Sequence, residues 1–252
     1  MERSVHYLDF LWAMTEKEIK ARYKKTYLGF LWALLSPLFH MLIIGYVVSF
    51  FIEIQNYYVF LISGILAWSF FSNSVKKATL SIVAERRLLQ KAKFPTEVIP
   101  TSIVLADFIH LSISMLLLLG FLLITKALVF SKFLLIIPAL LWLIVLTEGL
   151  ALFTASLFVK YRDVDYIVST LLLVGFYITP IIFTLSQIPS NFRQIFFLNP
   201  LASIIELFHI AIVNHGFLSL LLIGINLLIT LIILILGIFV FKKLQKQFVD
   251  WL

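Results

Sequence analysis

Asp107 and His110 stand three residues apart inside one long apolar run, and Glu148 lies inside the next. Ionisable groups in lipid are costly and call for a partner. A carboxylate, an imidazole and a second carboxylate have the chemistry of a proton relay, of a polar clamp between helices, or of acids kept neutral by burial. Counted at about 1.5 Å per residue from the inner ends of their runs, Asp107 is about 15 Å deep, Glu148 about 17 Å and His110 about 20 Å, so the three are expected at one level. Glu206 and His209, also three apart, suit either a helix-stabilising pair or a polar contact for something passing the outer face.

A second set of residues offers surfaces rather than protons. Trp32, Phe39, Tyr46 and Phe50 recur at intervals of seven, seven and four, which lines them up on one stripe of a helix. Such a stripe stacks against flat ligands, packs in a core or faces lipid. Tyr177 and Phe183 are weaker companions further along the chain.

The third set is the basic run ERRLLQKAKFPTEVIP, residues 85–100, with Glu85, Arg86, Arg87, Lys91, Lys93 and Glu97. Pro95 and Pro100 restrict the residues before them, so Phe94 and Ile99 are expected to leave helical geometry. That predicts a helix over about 75–92 that breaks at Lys93-Phe94-Pro95. A charge run between apolar segments is most often a topology anchor. Leu80, Ile82, Val83, Leu88 and Leu89 give this one an apolar side, which a mere anchor does not need and a docking element does.

Nothing in the chain has the spacing of a catalytic centre. HExxH and GxSxG are absent, as is the GxxxxGK[ST] phosphate loop, and there is no cysteine for a disulfide or a thiolate metal site. The reading is of a chain that is not an enzyme.

The elements that must position these residues follow from composition. Of 252 residues 62% are hydrophobic and 13% charged, and the mean hydropathy is +1.07, which describes a polytopic membrane protein of all-α class. A bilayer core of about 30 Å needs about 20 apolar residues in a helix. Six stretches meet this, at 27–51, 57–74, 98–125, 133–158, 164–185 and 217–241. The run 201–213 is too short to cross and carries Glu206 and His209, so it is expected as an external re-entrant or interfacial segment between spans five and six.

With six spans both termini lie on one side. All but Lys126, Lys132 and Arg193 of the 20 Lys and Arg residues then fall on that side, which the positive-inside rule makes cytoplasmic. The net charge of +7 is thereby explained by topology rather than by nucleic acid. Residues 1–24 read as an amphipathic helix on the lipid headgroups, with Val5, Leu8, Leu11, Trp12 and Ile19 on one face and Glu16, Lys17, Lys20 and Lys24 on the other. No cleavable leader is evident, so the expected chain starts at Met1. Without repeat or linker, residues 1–252 read as a single domain, an interface helix over 1–24 and a six-span bundle over 25–252.

Several ordered segments carry a family resemblance. RYKKTYLGFLWALLSPL (22–38), LLQKAKFPTEVIP (88–100), KYRDVDYIV (160–168), YITPIIF (177–183) and FLNPLASIIE (197–206) together resemble the membrane subunit of ABC-2 type polysaccharide exporters, the family that moves lipid-linked O-antigen, capsule or teichoic acid. Phe30 departs from the pattern, standing where the family often has proline.

The resemblance implies a homodimeric permease in a bacterial inner membrane with both termini cytoplasmic, working with two copies of a separate ABC ATPase that binds the ATP and Mg. This chain itself would hold no cofactor. It implies a channel built from spans one and five, where Trp32, Phe39, Tyr46, Phe50, Tyr177 and Phe183 would meet sugar rings. The segment from Glu85 to Glu97 would meet the ATPase. An ATP-driven exporter needs no proton path, which favours the clamp reading of Asp107, His110 and Glu148. The alternatives are an ABC-2 permease for a small hydrophobic drug or lipid and a proton-coupled secondary transporter. The second is disfavoured by the absence of internal duplication.

Overall fold

The computed structural model describes residues 2–24, 27–51, 54, 56–91, 94–125, 132–188, 198–216 and 218–251. Among these the helices, in chain order, are α1 (Glu2–Tyr23), α2 (Trp32–Val48), α3 (Tyr57–Ala84), α4 (Arg86–Lys91), α5 (Val98–Ile124), α6 (Ile136–Lys160), α7 (Val164–Ile178), α8 (Pro200–Val213), α9 (Leu220–Leu244) and α10 (Phe248–Trp251), and no strand occurs. Four of them, α3, α5, α6 and α9, are long and apolar enough to cross a membrane, while α2, α7 and α8 are apolar but shorter.

α3 is the axis of the bundle, with α2, α5, α6, α7 and α8 all packed on it. Its Phe60, Leu61 and Ile65 meet Leu143, Leu146 and Phe208 in the main core. A second core forms where α1, the end of α3, the start of α5 and the ends of α6 and α9 converge, around Met14, Ile82, Ile99, Leu152, Phe241 and Phe248.

The runs 98–125, 133–158 and 217–241 become α5, α6 and α9 with only small shifts of boundary. The second run does not end near residue 74 in a separate helix over 75–92. α3 continues unbroken to Ala84, the chain turns at Glu85, and α4 follows. Polar residues depressed the apolar signal there, yet Val75, Ala78, Thr79 and Ile82 are buried and keep the helix in the core.

Span five is cut short because Pro180 forces Thr179 into extended geometry, at φ −94° and ψ 138°. Span one begins late: Gly29 takes a left-handed φ of +47°, a short 3-10 turn follows, and α2 starts only at Trp32. Ile99 is helical after all. Pro100 is the third residue of α5, where its missing N–H would have had no intrahelical partner.

α1 has a second apolar side that its sequence pattern did not show. Tyr7, Phe10, Leu11 and Met14 pack on the second core, whereas Leu8 and Trp12 point away from the protein. The side chain of Val5 lies outside the described residues. The helix rests on α5 and so carries apolar groups on two sides.

α6 and α9 approach most closely at Gly149 and Gly237. A β-carbon at Gly237 would overlap the Gly149 carbonyl oxygen, and one at Gly149 would come within 2.7 Å of the Leu234 Cα. Lipid offers helices little hydrophobic reason to associate, so close backbone approach and polar contacts hold them instead. Trp142 donates its indole N–H to Thr230 at 2.7 Å and Asn226 donates to Ser203 at 2.6 Å, which ties α9 to α6 and α8.

Candidate functional site

Asp107 is 3% exposed and sits where three helices meet. Arg22 of α1 and Lys77 of α3 both donate to its carboxylate, Lys77 at 3.1 Å, and Ser74 donates at 3.2 Å. One turn on, His110 pairs with the Tyr23 hydroxyl. Burial lowers the pKa of Arg22 and raises that of Tyr23 from their ordinary values. Two basic side chains and a hydroxyl thus converge on one buried acid, which supplies the partners that an acid in such a place requires.

Glu148 stands apart from this pair. It accepts from Thr101 at 2.6 Å, and six residues at about 100° each place Thr101 and Asp107 on different faces of α5. Thr101 belongs to the first turn of α5, so Glu148 lies far nearer the inner end than the count along its own helix suggested. The reason is that α6 runs on to Lys160, past the start of α5, so the two helices do not begin at one level.

A cavity of about 650 Å³ opens beside Asp107, between α2, α3, α5 and α7. Arg22, Lys76, Asn73 and Asp107 line its charged part, and Ser36, His40, Ser69 and Ser169 contribute further polar groups. Trp32, Trp68, Phe176 and Tyr177 give it flat aromatic walls. Of the aromatic residues read from the sequence, Trp32 and Tyr177 therefore line the cavity. Phe39, Tyr46 and Phe50 are 53%, 66% and 71% exposed, so they face outward from this chain rather than packing in its core. Phe183 is half-buried in the turn after α7, where the neighbouring Ile182 carbonyl accepts from Tyr57 at 3.0 Å.

Trp68, Ser69, Asn73 and Ser169 were not singled out from the sequence. Ser69, Asn73 and Lys76 recur at helical spacing, a polar stripe on α3 that would have shown this face. Arg22, Tyr23 and Lys77 as partners, by contrast, left no local signal.

The basic segment divides. Arg86, Arg87 and Lys91 are exposed on α4, while Leu88 and Leu89 hold that helix on the second core. Glu85 is paired with Lys17 of α1. Glu97 faces away, into a separate cavity with Tyr7 and Lys242, and Lys93 lies outside the described residues. Glu206 and His209 lie in the core rather than at a surface, 2% and 0% exposed, with Glu206 Oε2 and His209 Nδ1 4.0 Å apart and His209 stacked on Phe60.

Comparison with known proteins extends this picture. The ABC-2 type transporter family matches residues 9–213. The O-antigen export system permease protein RfbA of Klebsiella pneumoniae is 31% identical, over 99% of this chain and 98% of its own. RfbA of Myxococcus xanthus is 34% identical over 83% of this chain and 82% of its own. The polysialic acid transport protein KpsM of Escherichia coli is 28% identical over 77% and 78% respectively. A bundle of apolar helices around a polar, aromatic-walled cavity thus coincides with a match across most of the sequence, and the chain belongs to the ABC-2 type transporter family of multi-pass membrane proteins.

Proposed function

We propose that the chain is the membrane-spanning permease subunit of an ATP-driven exporter that moves a lipid-linked polysaccharide of the O-antigen kind outward across a bacterial inner membrane. It works as a homodimer with two copies of a separate ATPase, which binds ATP and Mg. α2, α3, α5, α6, α7 and α9 are the six spans of a single domain, α8 enters from the outer side, and both termini are cytoplasmic.

The observation that carries this reading is the large cavity. Hydroxyl-rich rings need hydrogen-bonding groups at their edges and apolar planes at their faces. Ser36, His40, Ser69 and Ser169 supply the first, and Trp32, Trp68 and Tyr177 the second. The exposed stripe of Phe39, Tyr46 and Phe50 continues the aromatic surface on the outside of α2, where a second copy would enclose it. The hydroxyl, imidazole and charged groups set among these apolar walls suit a sugar polymer better than a small hydrophobic cargo, which would leave them unpaired. Asp107, held by Arg22 and Lys77, serves as a clamp rather than as a proton carrier.

The test is export of polymer by cells carrying Trp32→Ala with Tyr177→Ala. Stacking on one aromatic contributes about 0.5–1.5 kcal/mol, so surface polymer should fall by about tenfold while membrane insertion and assembly with the ATPase persist. Undiminished export by that variant would remove the cavity from the path.

A further inference from the structure

A second cavity, of about 460 Å³, lies on another face of α5, bounded by α5, α6, α9 and the start of α1. The polymer reading makes no use of it. Its residues are sorted by depth. Glu97, at the N-terminal end of α5, and Lys242, in the last turn of α9, stand at the inner end, with Tyr7 of α1 beside them. Thr101 and Glu148 come next, about one helical turn or 6 Å further along α5. Beyond them Leu105, Ile144, Leu234 and Ile238 make the remaining wall wholly apolar.

Both carboxylates bear on the Tyr7 hydroxyl. Its pKa is raised by burial first and then by Glu97 and Glu148, so the three polar groups converge on one space. The helices framing the opening turn Leu141, Leu231 and Ile235 outward, which is the surface a bilayer would cover.

One end of this groove carries two carboxyl groups, a phenol hydroxyl and one lysine ammonium, and the other is hydrocarbon. We infer that it is a binding site for an inner-leaflet phospholipid with a primary-amine headgroup, of the phosphatidylethanolamine type. The ammonium donates to Glu97 and Glu148, the phosphate meets Lys242, and an acyl chain rises along Leu105, Ile144 and Leu234. A primary ammonium has three N–H donors for two carboxylates and a hydroxyl, whereas a trimethylated amine has none and an anionic headgroup is repelled. The inference needs the chain to sit in a membrane with this end inward. It does not depend on the cargo, and its test contains no polymer.

Purified protein is equilibrated in mixed micelles of phosphatidylethanolamine, phosphatidylcholine and phosphatidylglycerol with matched acyl chains, and retained lipids are counted by native mass spectrometry. The amine lipid should be retained about tenfold over the trimethylated one, the factor that one charge-assisted hydrogen bond supplies. Glu97→Gln with Glu148→Gln should abolish that preference. Leu105→Trp, which fills the groove and leaves every charge in place, should abolish retention itself. Glycerophosphoethanolamine, which has the headgroup and no acyl chain, should not displace the lipid. Equal retention of the amine and trimethylated lipids, a preference for phosphatidylglycerol, or an amine preference that survives both variants would overturn the site.

Discussion

Asp107 holds its place through residues that the chain brings from far away. Arg22 is 85 positions before it and Lys77 is 30, so no local pattern announces either pairing. What the sequence does announce is that an acid in an apolar run needs a partner, and that expectation was met twice over. The same holds for Glu148 with Thr101. Its depth could not be read from its own helix, because residues are counted along a helix while a membrane cuts across all of them at one height. Asp107→Asn keeps one acceptor oxygen but leaves two cations facing each other without their counter-charge. Hydrogen bonds to charged groups contribute about 1.5–3 kcal/mol, so the stability of the purified protein should fall by about 2 kcal/mol. Lys77→Met should cost less, since the lysine is 43% exposed and water already screens it. Thermal unfolding of the two variants checks this, and equal losses would contradict the clamp role.

Helices were legible where hydrophobicity alone decides them. α5, α6 and α9 could be drawn from composition because nothing polar interrupts their patterns for long. α3 could not, since Asn73, Lys76 and Lys77 look like the end of a span until Asp107 and the adjoining cavity give them something to face. α1 was recognised as amphipathic, with Leu8 and Trp12 on the face left open to lipid, but its second apolar side, where Tyr7, Phe10 and Met14 pack on the second core, was not. Close helix contact is written in glycine. Gly237→Ala should push α9 away from α6 and destabilise by about 1–3 kcal/mol, the usual cost of overpacking. Gly224→Ala, on the same helix with nothing within 4 Å of an added β-carbon, should be neutral. Melting curves of the pair separate contact from helix propensity, and similar curves would deny that Gly237 sets the spacing.

For the molecule as a whole, we propose that the exposed cations of α4 meet the ATPase. Arg86→Glu with Arg87→Glu changes no buried group, so insertion and folding should be kept. Export should be lost while the assembled complex still hydrolyses ATP, and a double variant that transports normally would take the coupling role away from α4. α9 points in the other direction, toward how the bundle is assembled. Its exposed residues occur all around it, and among its few protected ones are Asn226, Thr230 and Gly237. Lipid therefore has no preference for one azimuth of this final segment over another. An amide, a hydroxyl and a missing side chain choose it, through Ser203, Trp142 and Gly149, so the rotation of α9 is written in three small contacts rather than in an apolar face.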